Sequence, residues 1–162
     1  MPVTEADVSR ILNELGVPYE IIECDPDYAD TAAFCERYGY PLDHSANTIL
    51  VVSKRGEKKY AACVVLSDSR LDVNHRVREL MDVSRLSFAK PEETAALTGM
   101  MIGGVTPVGL PDDVPVYVDS RVMDREYVVL GGGSRSAKIK ISPSVFKEMS
   151  GARIVHGLAL ES

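Results

Sequence analysis

Apolar residues along the chain alternate between a helical period and a two-residue period. Each change of period is marked by a capping residue, a glycine or a proline. Val8, Ile11, Leu12 and Leu15 recur at helical spacing. Thr4-Glu5-Ala6-Asp7 ahead of them predicts a helix start, because the threonine hydroxyl accepts from exposed amides and Asp7 reaches back. Gly16 offers a left-handed stop and Pro18 prevents continuation. Tyr19 to Cys24 then reads as a strand. Asp30 caps a second helix carrying Ala33, Phe34 and Tyr38 on one side, with Gly39 as its end. Asn47 to Ser53 and Lys59 to Leu66 are β-rich, and the polar turn Lys54-Arg55-Gly56-Glu57-Lys58 between them predicts a hairpin. Asp72 is placed to cap a helix holding Val73, Val77, Leu80 and Met81, and Val83 to Ala89 returns as a strand. Pro91 opens a short helix with Glu92 and Glu93 in its first turn, where the helix dipole favours anions. Further strands are expected at Val114 to Val118, Glu126 to Leu130, Lys138 to Ile141 and Ala152 to Val155. Ser142-Pro143 starts a last helix over Val145 to Met149. Strands and helices mix without regular βαβ alternation, which predicts an α+β fold with a mixed, substantially antiparallel sheet.

The chain has 162 residues, 45% of them hydrophobic and 26% charged. That length suits one compact domain, which buries roughly two-thirds of its unfolded surface and needs no disulfide or metal staple. The composition excludes a disordered chain, a collagen-like chain and a coiled coil. The longest apolar runs, such as Ile49 to Val52 and Ala61 to Leu66, are far from the roughly 20 residues that span a membrane. The first residues lack a basic region followed by an apolar core, so no signal peptide is expected. Cys24, Cys35 and Cys63 form an odd set without a CxxC pair, which points to reduced thiols and a cytoplasmic protein. Cys63 in Ala-Ala-Cys-Val-Val reads as core, and Cys35 takes the same reading. The net charge of −6 argues against coating nucleic acid by bulk positive charge, while leaving room for a local basic groove.

Candidate chemistry concentrates in glycine. Seven of the twelve glycines fall in two clusters, residues 99–109 and 131–133. Two such loops facing each other make either a pocket lined by backbone donors, suited to a phosphate or a developing oxyanion, or tight turns between strands. Neither cluster fits a Walker loop or GxGxxG before a helix. His44, His75 and His156 have no neighbours at metal-ligand spacing, so no metal site is expected. Gly-x-Ser-x-Gly is absent. Basic residues cluster at Lys54, Arg55, Lys58 and Lys59, at Arg76, Arg78 and Arg85, and at Arg135, Lys138 and Lys140. Each run is either a solvated face or part of a local nucleic-acid patch.

Taken in order, the glycine loops carry a resemblance. Leu97 to Gly109, with Gly103-Gly104-Val105-Thr106-Pro107-Val108-Gly109 at its end, resembles the GGxxPxG signature of the YbaK/EbsC family, which includes the editing domain associated with prolyl-tRNA synthetase. Pro115 to Asp119 resembles the family strand ending in Asp. Val128 to Arg135 resembles its second glycine loop, and Ala46 to Val52 sits where the family has a Lys-Thr-Leu-Leu-Val type strand. The likeness runs from about residue 30 to 160 of a single domain spanning 1–162. It implies a barrel-like mixed sheet surrounded by helices. It implies trans-editing as well: hydrolysis of the ester between a small amino acid and the terminal adenosine of a mischarged tRNA, of the Cys- or Ala-tRNA(Pro) kind. Water would attack the ester carbonyl without cofactor, metal or covalent nucleophile, and loop amides would position the ester. The implied partners are the tRNA acceptor end and a synthetase, with no membrane.

This sequence departs from the family pattern at two places. Asn47 stands where the family strand begins with a substrate-contacting lysine, and Lys138 stands where some members carry an acidic residue. The expected catalytic set is Asn47 with Gly103, Gly104, Gly132 and Gly133. The expected substrate-binding set is Thr106, Ser134, Arg135, Asp119 and Lys59. Pro107 and Gly109 are expected to shape their loop. Asn47 also has a plainer reading as a turn residue, and Arg135 as a solvated surface charge. Two other functions remain open: a tRNA-binding or aminoacyl-adenosine-binding module that lost hydrolysis, and a hydrolase of another small ester.

Overall fold

The structure is a computed structural model that describes residues 3–161. The expected span of 1–162 includes Met1, Pro2 and Ser162, which lie outside the described residues. In chain order the elements are α1 (Glu5–Leu15), β1 (Tyr19–Glu23), α2 (Thr31–Tyr38), β2 (Ala46–Ser53), β3 (Tyr60–Leu66), β4 (Ser69–Leu71), α3 (Arg78–Met81) and β5 (Leu86–Phe88). They continue with α4 (Pro91–Thr98), β6 (Val116–Asp119), β7 (Val128–Gly131), β8 (Ala137–Ile141), α5 (Val145–Glu148), β9 (Ala152–Val155) and β10 (Ala159–Glu161). The fold is α+β with mixed sheets.

Thr4 and Asp7 form the expected capping box, and Gly16 ends α1 at φ +72°. The helix buries Val8 and Leu12. The hairpin also forms as expected, with Ala46 opposite Leu66 and Val52 opposite Tyr60. Ser53 closes its turn by donating to the Glu57 carbonyl and accepting from the Lys59 amide. A five-stranded sheet runs β5-β2-β3-β6-β9, with β6 parallel to both β3 and β9. A three-stranded antiparallel sheet runs β1-β8-β7. One apolar cluster lies between them, built on Leu50, Val64, Val118, Leu130 and Ile139.

The sheets do not close into a barrel. The head of β2 meets β7 only through a parallel bridge between Ser45 and Val129, which leaves a gap beside it. The helix expected after Asp72 is also divided. Residues Val73–Val77 form a wide π turn in which the Val77 amide donates to the Asp72 carbonyl, and α3 follows as a single turn. The wide turn sets buried Val73 and Val77 onto the second apolar cluster with Leu71 and Met81. The strand expected over Val83 to Ala89 contracts to β5, because its ladder on β2 runs only from Val51 to Ser53. Strands β4 and β10, paired with each other, have three residues each and give no readable period.

Candidate functional site

The gap beside the Ser45–Val129 bridge is the mouth of a cavity of about 450 Å³. Its walls come from α2 (Thr31 and Phe34), β2 (Ala46 to Leu50), β7 (Val129 to Gly131) and the first glycine loop (Ile102, Gly103 and Val105). Phe88 and Ile102, both more than half exposed, stand at the apolar edge. That volume is in the range of small-ligand sites.

The polar side chains lining this cavity are Asp30, Thr31, Ser45, Asn47, Thr48, Thr94 and Lys138. Asn47 lines it, and its Oδ1 accepts from the Thr31 hydroxyl at 2.5 Å. That bond fixes the amide plane and turns the NH2 donors away from Thr31. The Thr48 hydroxyl is buried with no hydrogen-bond partner among the described residues, and Thr48 also lines the cavity. Lys138, on β8, is 6% exposed. Its ammonium donates to the carbonyls of Ala29 (2.6 Å) and Gly103 (2.5 Å) and lies 5.5 Å from the Phe34 ring centroid. Burial pushes the Lys138 ammonium below the usual lysine range, and Arg135 adds to this. Asp30 and the Cys24 and Cys35 thiols oppose it. Asp30, the one carboxylate of the lining, accepts from Arg135 at 3.1 Å.

Sequence reasoning placed Lys138 within a basic run and at a departure from the family pattern, but not among the expected site residues. A lysine inside Ala-Lys-Ile-Lys-Ile looks solvent-facing, because the apolar alternation assigns Ile139 and Ile141 to the core. The other face of β8 is covered too. Phe34 packs over Lys138, and the Tyr127 ring lies 4.6 Å from the Lys140 ammonium. A sheet covered on both faces leaves no exposed side in its interior strand.

The two glycine loops meet each other, but the Gly104, Gly132 and Gly133 amides are bonded within the fold and do not line the cavity as the expected backbone donors. The Gly133 amide donates to the Gly104 carbonyl at 2.9 Å. A side chain on Gly104 would come within 2.5 Å of the Ser134 backbone, and one on Gly131 would run into the Val105 carbonyl. The Gly104 amide is committed to Met101, and the Gly132 amide to Ala137. Gly103, at φ +93°, lines the cavity, whereas Gly104, Gly132 and Gly133 lie behind it.

The remaining expected residues sit apart from the cavity lining. Thr106 is fully buried and accepts from the Val108 amide. Ser134 donates to Glu5 at 2.7 Å. Arg135 is a buckle, bonded to Asp30, the Ile102 carbonyl and the Pro26 carbonyl. Asp119 is 1% exposed at the end of β6, where its Oδ2 accepts from Arg121. Lys59 is exposed beside a second hollow near Tyr60 and Pro115. Among the described residues, no group of histidine, cysteine and carboxylate side chains could hold a metal ion, and no helix is long and apolar enough to cross a membrane.

The cavity lining holds no histidine or cysteine and a single carboxylate, and among the described residues none of its hydroxyls is hydrogen-bonded to Asp30 or Lys138. Its chemistry is that of a positioning site with one buried cation. The chain as a whole is similar to known proteins. The aminoacyl-tRNA editing domain matches residues 25–148, and the chain belongs to that family. It is 28% identical over 136 residues to the uncharacterized protein YwhH of Bacillus subtilis, covering 83% of each. It is 18% identical over 148 residues to the candidate Cys-tRNA(Pro)/Cys-tRNA(Cys) deacylase EbsC of Enterococcus faecalis, covering 90% of this chain and 88% of that one. Among solved structures, hypothetical protein APE2540 superposes with a TM-score of 0.83 at 26% identity, over 94% of this chain and 99% of that one. A candidate trans-editing enzyme for prolyl tRNA synthetase superposes with a TM-score of 0.81 at 23% identity, over 100% of this chain and 99% of that one, and so shares the fold.

Proposed function

We propose that this chain is a trans-editing deacylase that hydrolyses the ester linking a small amino acid to the terminal adenosine of a mischarged tRNA, acting in the cytoplasm. The observation that carries the reading is the cavity shared by Asn47, Gly103 and Lys138 in a member of the editing family. The cavity is large enough for a small aminoacyl group and part of a ribose, and too small for a folded tRNA. Only the acceptor end enters. Its lining offers no covalent nucleophile activated by a base, so water attacks the ester directly. Catalysis then comes from holding the carbonyl, through Asn47 and the Gly103 segment, in an attackable orientation. Gly104, Gly132 and Gly133 act by setting the backbone behind that segment. Arg135 locks the same loop, and a synthetase is the natural supplier of substrate.

Asn47 supports a second reading, a module that binds the aminoacyl end without hydrolysing it, because the amide carries no charge. Incubation with a panel of tRNAs charged with Ala, Cys, Ser, Thr and Pro separates the two. Release of amino acid above the rate in buffer, on at least one member, is expected. Binding without release throughout the panel would establish the second reading, and neither binding nor release would sink both. With the hydrolysed substrate, Asn47→Ala is expected to lower kcat/KM by about 10-fold or more, the cost of one misplaced polar contact at a reacting group.

A further inference from the structure

Lys138 is more than the clasp that its two carbonyl bonds suggest. Joining the Ala29 and Gly103 carbonyls needs donors, not charge, and a neutral donor would do it without desolvating an ammonium. The burial of a full charge is costly unless something uses it. Here the compensation within the fold is partial. Among the described residues no carboxylate is bonded to the ammonium, Asp30 being engaged by Arg135, and Phe34 supplies only a ring face. An ammonium has three N–H donors, and the two carbonyls take two. The third belongs to a residue that lines the cavity together with Asn47 and Thr48. The amine is therefore held still, in a low-dielectric setting, with one donor not taken by a carbonyl on a residue of the cavity lining. Preorganised charge of this kind stabilises negative charge that develops during reaction.

We propose that Lys138 is a catalytic residue whose third N–H donates to the ester carbonyl oxygen and holds the oxyanion that forms there. The inference rests on the deacylase reading. Water adds to the carbonyl carbon, and the π electron pair moves to the carbonyl oxygen, which Lys138 stabilises. The tetrahedral species collapses, the bond to the ribose oxygen breaks, and the proton lost by the water goes to that oxygen. The products are a free amino acid and a free ribose hydroxyl. Asn47, on another wall of the same cavity, orients the substrate while Lys138 supplies the charge.

The experiment uses the full chain, its best substrate from the panel, and a stable probe, 3′-deoxy-3′-(alanylamino)adenosine, in which an amide replaces the ester. Lys138→Met is expected to lower kcat/KM about 100-fold or more and to weaken probe binding about 10-fold. Lys138→Arg is expected to retain much of both. Lys138→Met combined with Asn47→Lys returns a cation from the other wall and is expected to recover part of the lost rate. A purely structural clasp would not be rescued this way. Because the methionine variant can fail for want of folding, the wild-type Lys138 Cε resonance is followed as probe is added. It is expected to shift with saturation while the surface lysines stay in place. A folded Lys138→Met variant with wild-type kcat/KM, or probe binding that leaves the Lys138 resonance unmoved, would overturn the proposal and leave the deacylase reading standing. Neither turnover nor probe binding by the wild type would overturn both.

Discussion

Cys63 sits in β3 between Ala62 and Val64 with no exposed surface, and burial pushes its thiol up to about 12. Cys24 and Cys35 are also buried and shifted upward, again chiefly by burial. A thiol held protonated is a poor nucleophile. All three are therefore expected to resist a thiol-specific disulfide reagent in the native protein at neutral pH and to react fully, as three equivalents, in denaturant. Prompt reaction of even one in the folded state would contradict the burial. The same shift has a pH consequence. The unfolded Cys63 loses its proton near 9, whereas the folded one keeps it to about 12. The stabilisation is complete below 9 and is lost as pH rises toward 12. Denaturant titrations at pH 8 and 10 are expected to show a steeper loss for the wild type than for Cys63→Ala. Cys63 was legible as core from its apolar neighbours, and Cys35 from its place on a helix face. Lys138 was not, because a period-2 pattern reports which residues share a face and not whether that face is covered.

At the level of elements, the glycine loops have a use that composition only half reveals. Their clustering marks close backbone approach, but clusters some thirty residues apart do not show that they approach each other. The structure joins Gly104 to Gly133 by a hydrogen bond, and it packs Gly131 so tightly on Val105 that no side chain fits. Overfilling a packed contact of this sort costs about 1–3 kcal/mol. Gly131→Ala is expected to lose stability in that range, read as a lower urea midpoint at unchanged slope. Gly151 is the control, since a side chain there meets nothing within 4 Å and its φ is not in the left-handed region. Gly151→Ala is expected to be neutral or to gain up to about 1 kcal/mol through a less flexible unfolded chain. Equal effects at the two positions would refute the claim that the loops are fitted together.

For the whole molecule, the main hairpin was readable because two β-rich apolar runs flank a polar, glycine-containing turn, and the α+β class because strands and helices mix without regular alternation. The missing barrel closure was not, since it depends on one bridge between Ser45 and Val129. The short β4 and β10 strands also escaped notice, being below the length at which alternation registers. Charge is the property whose meaning changes most at this scale. A net charge of −6 speaks against a broad phosphate-binding face. Local cations are also engaged within the fold: Lys58 with Glu93, Arg10 with Glu14, Arg125 with Asp43 and Arg135 with Asp30. A phosphate contact made by one of these groups competes with an existing ion pair. On the deacylase reading, few counterions are expected to be released on binding, with affinity drawn from the cavity and the terminal nucleotide rather than from the tRNA body. A minihelix carrying only the acceptor stem is expected to be deacylated with kcat/KM within about 3-fold of the full tRNA. The log–log dependence of binding on salt is expected to be shallower than about −3, as for no more than three phosphates. A slope near −6, or a large preference for the complete tRNA, would mean that a face of this acidic protein tracks the nucleic-acid backbone, and the cavity would no longer be the principal recognition element.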